Sequence, residues 1–127
     1  MLDNLIENLK KELDIADLVS SEEPGHFTLN FEENLQINIS QVEAGYLLFC
    51  AVAPCPKKNT EMYYNLIMEA NLFGQATLGA VLGLNEEGST LTLSRELDYN
   101  INSKEFMDTL EDFVNVADFW RKKTSEF

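Results

Sequence analysis

The sequence predicts one α+β domain with the element order α-β-β-β-α-β-β-α, an antiparallel twisted sheet flanked by helices. Three observations support this class. Apolar residues recur at helical spacing in three stretches, and they alternate with polar residues in most of the stretches between them. The turns between neighbouring strands are short, which is typical of antiparallel pairing. With neither a repeat nor a linker, residues 1–127 are predicted to form a single domain.

The first helix is predicted over residues 2–13. Its apolar stripe consists of Leu2, Leu5, Ile6, Leu9 and Leu13, and charged residues occupy the opposite side. Residues 20–25, with the sequence Ser-Ser-Glu-Glu-Pro-Gly, interrupt the helical pattern. We therefore expect a break in regular structure there, before the first strand.

Three strands are predicted next. In the first two, apolar residues alternate with polar ones, so each strand has one apolar face. Those apolar residues are Phe27, Leu29 and Phe31, then Leu35, Ile37 and Ile39, with an acidic turn at residues 32–34. Residues 46–53 are apolar on both faces. That strand is expected to lie in the middle of the sheet or to have one face covered by a partner.

The middle helix is predicted over residues 60–73, with Thr60 as its N-cap. It is apolar over more than half of its circumference, and its polar side chains Glu61, Asn65 and Glu69 lie on one narrow stripe. One sheet cannot cover so wide an apolar surface in a domain of this size. Either a second subunit covers the rest, or the other two helices do.

A hairpin and a last helix complete the pattern. Residues 79–84 and 89–94 are predicted to pair around a turn at 85–88, where Gly88 is available for a positive φ. Asn102 and Glu105 have the spacing of a capping box at the start of the last helix. The buried face of that helix is predicted to carry Phe106, Leu110, Phe113, Ala117 and Trp120.

The chain is strongly acidic, with 22 acidic residues, 9 basic residues and a net charge of −13. Such a field repels nucleic acid and anionic membranes, so neither is expected as a partner. The sequence starts with an amphipathic pattern rather than a signal peptide, and no apolar run reaches the ~20 residues that span a bilayer. We expect a cytoplasmic protein without membrane insertion that favours basic clients.

The sequence contains no recognisable catalytic arrangement, and we predict that the protein is not an enzyme. His26 is the only histidine, and no serine or cysteine has a suitable histidine partner. Cys50 and Cys55 match no common zinc or redox spacing and are expected to be reduced. The glycines lack the context of a phosphate-binding loop. Neither a metal nor another cofactor is expected.

One stretch of the chain carries a family resemblance. It runs from Glu69-Ala70-Asn71-Leu72-Phe73 through Gly74 and Gly79 to Ala80-Val81-Leu82-Gly83-Leu84 and a Leu-Thr-Leu-Ser-Arg strand. Together with the final helix segment at residues 110–120, this order of motifs resembles the class I type III secretion chaperones, the Tir chaperone/SycE-like family. The chain departs from the family pattern at Thr77-Leu78, where the family often shows a second glycine.

The resemblance implies a cytoplasmic, ATP-independent chaperone. It would bind the extended N-terminal segment of one or more secreted effector proteins and keep them soluble and export-competent for type III secretion. The resemblance also implies a homodimer that forms through the middle helix and a neighbouring strand, and the sequence leaves a heterodimer open.

Two sets of site residues are predicted on this basis. The client surface is predicted at Leu5, Leu9, Phe27, Leu29, Phe31, Ile37 and Phe49. The alternative for each of these residues is the core of its own chain. The dimer interface is predicted at Tyr63, Ile67, Met68, Ala70, Phe73, Leu78 and Val81.

Two other functions stay open at this stage. A small acidic regulatory or adaptor protein of the same fold, including a subunit of a heterodimeric chaperone, would bind folded partners instead of an extended segment. A small-molecule-binding or enzymatic domain would need a closed pocket with convergent polar groups, and nothing in the sequence calls for one.

Overall fold

Six strands and three helices make up the fold in this computed structural model, which describes residues 2–13, 19–32, 35–74 and 76–127. In chain order the elements are α1 (Leu2–Leu13), β1 (Val19–Glu23), β2 (His26–Glu32), β3 (Leu35–Val42), β4 (Gly45–Pro54), α2 (Thr60–Asn71), a 3₁₀ turn (Leu72–Gly74), β5 (Val81–Leu84), β6 (Thr90–Asp98) and α3 (Ser103–Ser125). The strands form one sheet in the order β1-β2-β3-β4-β6-β5, and every neighbouring pair is antiparallel.

The predicted α+β class and its antiparallel sheet are confirmed, with one strand more than expected. Residues 20–23, where a break was predicted, belong to β1. Val19 pairs with Leu29 and Ser20 pairs with Thr28. The β1 segment has one apolar residue and no alternation, so its sequence does not distinguish it from a loop. Backbone pairing with β2 makes it a strand.

The buried side chains of the sheet lie on one of its faces. The pairs Leu29 with Ile37, Ile39 with Leu48, and Cys50 with Leu93 face each other across neighbouring strands, and all six residues are fully buried. Because side chains alternate along a strand, these pairs define a single face. The apolar stripes of α1 and α3, including Ile6, Leu9, Phe106 and Phe113, belong to the same core.

The opposite face of the sheet is more polar and stays partly exposed. Thr28, Asn38, Phe49 and Ser94 follow one another across β2, β3, β4 and β6. Thr28 Oγ1 donates a hydrogen bond of 3.2 Å to Asn38 Oδ1, and Phe49 is half-buried beside them. The strand β4 lies between β3 and β6, so the prediction of a mid-sheet strand at residues 46–53 is confirmed.

The two predicted helix starts have different outcomes. Asn102 Oδ1 accepts a hydrogen bond of 2.8 Å from the backbone N–H of Glu105, and Glu105 Oε1 accepts one of 3.3 Å from the N–H of Asn102. The capping box of α3 is therefore confirmed. The assignment of Thr60 as an N-cap is wrong, since Thr60 is the first helical residue of α2. Its N-cap is Asn59, a left-handed residue (φ 56°) with no side-chain capping bond.

The helix α2 packs one of its faces into the core of its own chain. That face carries Tyr63, Ile67 and Ala70, which are all buried. The hydroxyl groups of Tyr63 and Thr124 are 2.8 Å apart and form a buried hydrogen bond to α3, and the ring of Phe127 meets the ring of Tyr63 edge-on at 5.1 Å. These contacts with α3 and the C-terminus cover only part of the wide apolar surface of α2, since Met62 and Met68 stay exposed.

We expect Tyr63→Phe to lower the free energy of unfolding by about 1–2 kcal/mol, because it leaves the buried Thr124 hydroxyl without the tyrosine oxygen. Urea unfolding measures this change. The double variant Tyr63→Phe/Thr124→Val should recover part of the loss, since it removes both polar groups. A Tyr63→Phe protein as stable as the wild type would show that this bond contributes nothing to the α2–α3 contact.

Candidate interaction surfaces

A group of exposed apolar side chains extends from the end of α2 to β5. Met68 is 63 % exposed, Leu78 is 50 % exposed and Val81 is 57 % exposed, and Leu72 and Leu84 are similarly accessible. We call these five residues the helix–edge patch. Single exposed apolar side chains are ordinary on protein surfaces, whereas larger apolar areas mark a site of interaction. The hydrogen bonds between Asn71 and Leu82 hold the end of α2 beside β5, from which Val81 and Leu84 project on opposite faces.

Hydrogen bonds occupy outward backbone groups at the start of β5 and just before it. The Asn71 amide accepts from the backbone N–H of Leu82 and donates to its carbonyl, both at 2.8 Å. Thr77 Oγ1 donates to the Ala80 carbonyl at 2.5 Å, and the Ala80 N–H donates to the Thr77 carbonyl at 3.1 Å. These backbone groups would otherwise be free to pair with another strand. A partner at this edge therefore meets side chains rather than main chain.

The opposite edge of the sheet is formed by β1, which pairs with β2 on one side and with no strand of the described residues on the other. Val19 is half-buried and packs against the core, as do Phe27 and Phe31 of β2. All three lie on the core-facing side of the sheet, since Val19 is opposite Leu29. We call Val19, Phe27 and Phe31 the β1 rim. It combines an available strand edge with a partly exposed apolar strip.

The structure separates the predicted client residues into two groups. Leu5, Leu9, Leu29 and Ile37 are buried in the core of the chain. These four apolar side chains pack inside their own chain, which explains their alternating and helical spacing. A client does not reach them in this conformation. The other three stay candidates: Phe27 and Phe31 belong to the β1 rim, and Phe49 is half-buried on the opposite face of the sheet.

The predicted dimer residues divide in the same way. Tyr63, Ile67 and Ala70 face the core of their own chain and are not available at the surface. Three of the others, Met68, Leu78 and Val81, lie in the helix–edge patch. The side chain of Phe73 lies outside the described part of the structure. Whether any of these residues contacts a partner stays a prediction.

Two patch residues were missed by sequence reasoning. Leu72 follows Met68 by four positions, so the helical spacing that places both on one face was visible in the sequence. Leu84 is the last residue of β5, and only the position of β5 at the edge of the sheet makes it accessible.

Charge distinguishes the helix–edge patch from the chain as a whole. Its five apolar residues have one acidic neighbour, Glu69, and one basic neighbour, Arg95, whereas the whole chain carries a net charge of −13. Two copies of such a protein repel each other over most of their surfaces. Association through an apolar patch adds the least electrostatic repulsion between two such copies.

The described residues contain no site for catalysis or metal binding that we can identify. No group of three potential ligands (His, Cys, Asp or Glu) among them is arranged to hold a metal ion. Burial raises the pKa of the Cys50 thiol to about 11, with a smaller opposing effect from Arg121. Burial also raises the pKa of Cys55. None of the described helices has both the length and the apolar character needed to cross a membrane.

Comparison with known sequences gives two matches over nearly the full chain. The model of the Tir chaperone protein (CesT) family matches residues 4–121. The protein CPj0713/CpB0740 of Chlamydia pneumoniae is 27 % identical over 122 residues, which is 94 % of this chain and 93 % of that protein. The match to the family model includes the β1 rim and the helix–edge patch.

Solved structures share the fold at low sequence identity. A chain of the ExsC–ExsE complex has a TM-score of 0.76 and 16 % identity, and the match covers 97 % of this chain and 92 % of that chain. A chain of the HopA1–SchA chaperone–effector complex has a TM-score of 0.71 and 16 % identity, and the match covers 99 % of this chain and 94 % of that chain. The structure of the Yersinia pestis type III secretion chaperone SycH with a fragment of YscM2 has a TM-score of 0.68 and 17 % identity. The match covers 90 % of this chain and 94 % of that chain. At these identities the similarity establishes a common fold.

Native protein treated with a thiol reagent at pH 7–8 should be modified at Cys55 at least ~100-fold faster than at Cys50, because Cys50 is fully buried and its raised pKa leaves little thiolate. Mass spectrometry of peptides measures both rates. In denaturant the two cysteines should react alike. Equal rates in the native protein would contradict the placement of Cys50 in the core.

Proposed function

The chain belongs to the Tir chaperone protein (CesT) family, and from this we propose a cytoplasmic, ATP-independent chaperone that binds the extended N-terminal segment of one or more secreted effector proteins. Binding keeps the effector soluble and competent for type III secretion. Members of this family of type III secretion chaperones are not enzymes. The structural observation that supports the proposed binding mode is the outer edge of β1, which pairs with no strand among the described residues and lies beside the apolar β1 rim.

An extended client segment adds as a strand to β1. Strand addition supplies main-chain hydrogen bonds that do not depend on the client's sequence, and pockets for alternate side chains supply specificity. The sheet has two edges, and Asn71 and Thr77 already satisfy outward backbone groups at the β5 edge. The β1 edge is therefore the one suited to a client strand.

The β1 rim gives such a strand its side-chain contacts. Val19, Phe27 and Phe31 are partly exposed on one side of the sheet, so every second residue of an added strand points toward them. Ordering a disordered segment costs several kcal/mol, and the apolar contacts of alternate residues offset that cost. The net charge of −13 favours clients whose binding segment is basic, and it makes the association rate fall as salt increases.

A second copy of the chain covers the helix–edge patch in this proposal. The patch is apolar and uncharged, and it combines the exposed side of α2 with the β5 edge. A symmetric dimer brings the same patch of both copies together, which suits a surface with no charges to repel each other. The two edges of the sheet then have separate roles: β5 serves the dimer and β1 serves the client.

The proposed function is tested by affinity capture of the tagged protein from its source cells under secretion-inducing conditions. We expect a secreted protein to co-purify, and limited proteolysis should protect only a short N-terminal segment of it. Capture of folded cytoplasmic proteins alone would favour an adaptor of the same fold. The captured segment, made as a peptide, then serves as the ligand for variants of the β1 rim.

Phe31→Ala should weaken binding of that segment about tenfold, because it removes an aromatic side chain from the contact surface. Fluorescence anisotropy with labelled peptide measures the dissociation constant. Phe119→Ala is the matched control, since Phe119 is an exposed phenylalanine (58 %) on α3, away from β1. Equal affinities for the two variants would remove the β1 rim from the client site.

Met68→Glu should abolish self-association without unfolding the protein, because it places one acidic group per subunit in the apolar contact of a charged dimer. Sedimentation velocity measures the oligomeric state, and circular dichroism measures the fold. Met62→Glu is the control: Met62 is on the same helix with almost the same exposure, 64 % against 63 %, but points about 120° away around the axis. Loss of the dimer in both variants would contradict the assignment of the patch.

A further inference from the structure

Leu78 has a backbone conformation that its side chain disfavours. Its φ angle is 52°, in the left-handed region that glycine and asparagine occupy readily and leucine does not. The other described non-glycine residue with positive φ is Asn59, whose side chain tolerates it. A leucine in this conformation persists only where its surroundings hold it. The turn at residues 76–79, just before β5, therefore contains stored strain.

Arg95 of β6 holds the strained residue in place. Its Nη1 donates a hydrogen bond of 2.5 Å to the carbonyl of Leu78. Gly79 (φ 92°) permits this approach, because a Cβ atom there would lie 2.0 Å from Arg95 Nη1. Any side chain at position 79 would push the guanidinium away from the Leu78 carbonyl.

Among the described residues, neither an ion pair nor a second hydrogen bond explains where the guanidinium group of Arg95 lies. No described carboxylate forms an ion pair with Arg95, although the chain has 22 acidic residues. Its Nε is buried and has no hydrogen-bond partner in the described part of the chain. A buried donor without a partner is unfavourable, as is a left-handed leucine. Two unfavourable features at one turn indicate a purpose beyond the stability of the single chain.

The turn is also fastened on both sides of Leu78. The Gly79 N–H donates to the Gly74 carbonyl at 2.9 Å, and the buried Thr77 hydroxyl donates to the Ala80 carbonyl. These hydrogen bonds hold the backbone of the turn, while the Leu78 side chain remains half exposed in the helix–edge patch. A rigid turn that displays an apolar side chain is preorganised for binding, because little freedom is lost when a partner covers it.

We infer that Arg95 and Gly79 form a clamp that presents Leu78 as a preformed anchor for a second copy of this chain. The inference rests on the dimer proposed above and adds the residues that position its anchor. A second copy is the occupant that fits best. The five residues of the patch are apolar although each copy carries −13, and the backbone groups of Ala80 and Leu82 at the neighbouring β5 edge are already bonded and do not pair with an added strand.

The variant Leu78→Asn separates strain from binding. Asparagine tolerates a positive φ, so the unfolding midpoint of the single subunit should stay the same or rise by ~3 °C as the strain is relieved. The dissociation constant of the dimer should increase at least about tenfold, because the anchor is lost. Sedimentation measures dimerisation. Thermal unfolding is followed at protein concentrations below the dissociation constant of the dimer, because the midpoint then reports the stability of the single subunit.

The role of Arg95 is tested by a double-mutant cycle. Arg95→Ala should weaken the dimer in the wild-type background and have little further effect in the Leu78→Asn background, because Arg95 acts through Leu78. Arg95→Lys, which keeps a donor, should retain part of the affinity. Independent, additive effects of Arg95→Ala and Leu78→Asn would overturn the clamp.

Two results separate failure of this inference from failure of the proposed dimer. Wild-type protein that stays monomeric at micromolar concentrations and above would overturn the dimer, and the anchor with it. A wild-type dimer whose affinity is unchanged by Leu78→Asn would overturn the anchor alone. A lower unfolding midpoint for the Leu78→Asn subunit would show that Leu78 serves the fold of its own chain rather than an interface.

Discussion

Burial of one face of the sheet is the constraint on which the rest of this structure depends. The apolar pairs that run across β2, β3, β4 and β6 all point to the side where α1, α2 and α3 contribute to the same core. This arrangement uses most of the large apolar residues of the chain, including four that resemble a binding surface in the sequence. What remains for partners is the opposite face, the two edges of the sheet and the exposed side of α2.

The two edges of the sheet differ in how their outward backbone groups are satisfied. At β5, Asn71 and Thr77 bond to backbone groups that would otherwise face a new strand, and apolar side chains surround them. At β1 the backbone has a pairing partner on one side only among the described residues. An edge that is sealed and apolar suits a folded copy, whereas an open edge suits an extended chain. For this member of the Tir chaperone protein (CesT) family, the difference is the basis of our proposal that a dimer forms at β5 and an effector binds at β1.

Much of the fold could be predicted because it follows from local rules. Strict alternation marked β2 and β3, and the Asn102–Glu105 spacing marked the start of α3. The misses arose where neighbours decide the outcome. β1 is a strand because β2 pairs with it, and the N-cap of α2 is Asn59 in a left-handed conformation rather than Thr60.

The sequence by itself determined the α+β class, five of the six strands, the acidic character and the family resemblance, because each of these is encoded in periodicity, composition or the order of motifs. It could not separate core from surface among apolar residues, since Leu29 and Phe31 have the same spacing and similar hydrophobicity. Only the tertiary structure buried the first and left the second half-exposed, because Leu29 pairs with Ile37 in the regular part of β2 whereas Phe31 lies at the register shift near its end. It also decided that Arg95, a β6 residue far from Leu78 in the chain, holds that turn, because long-range contacts between side chains and backbone leave no periodic signal in a sequence.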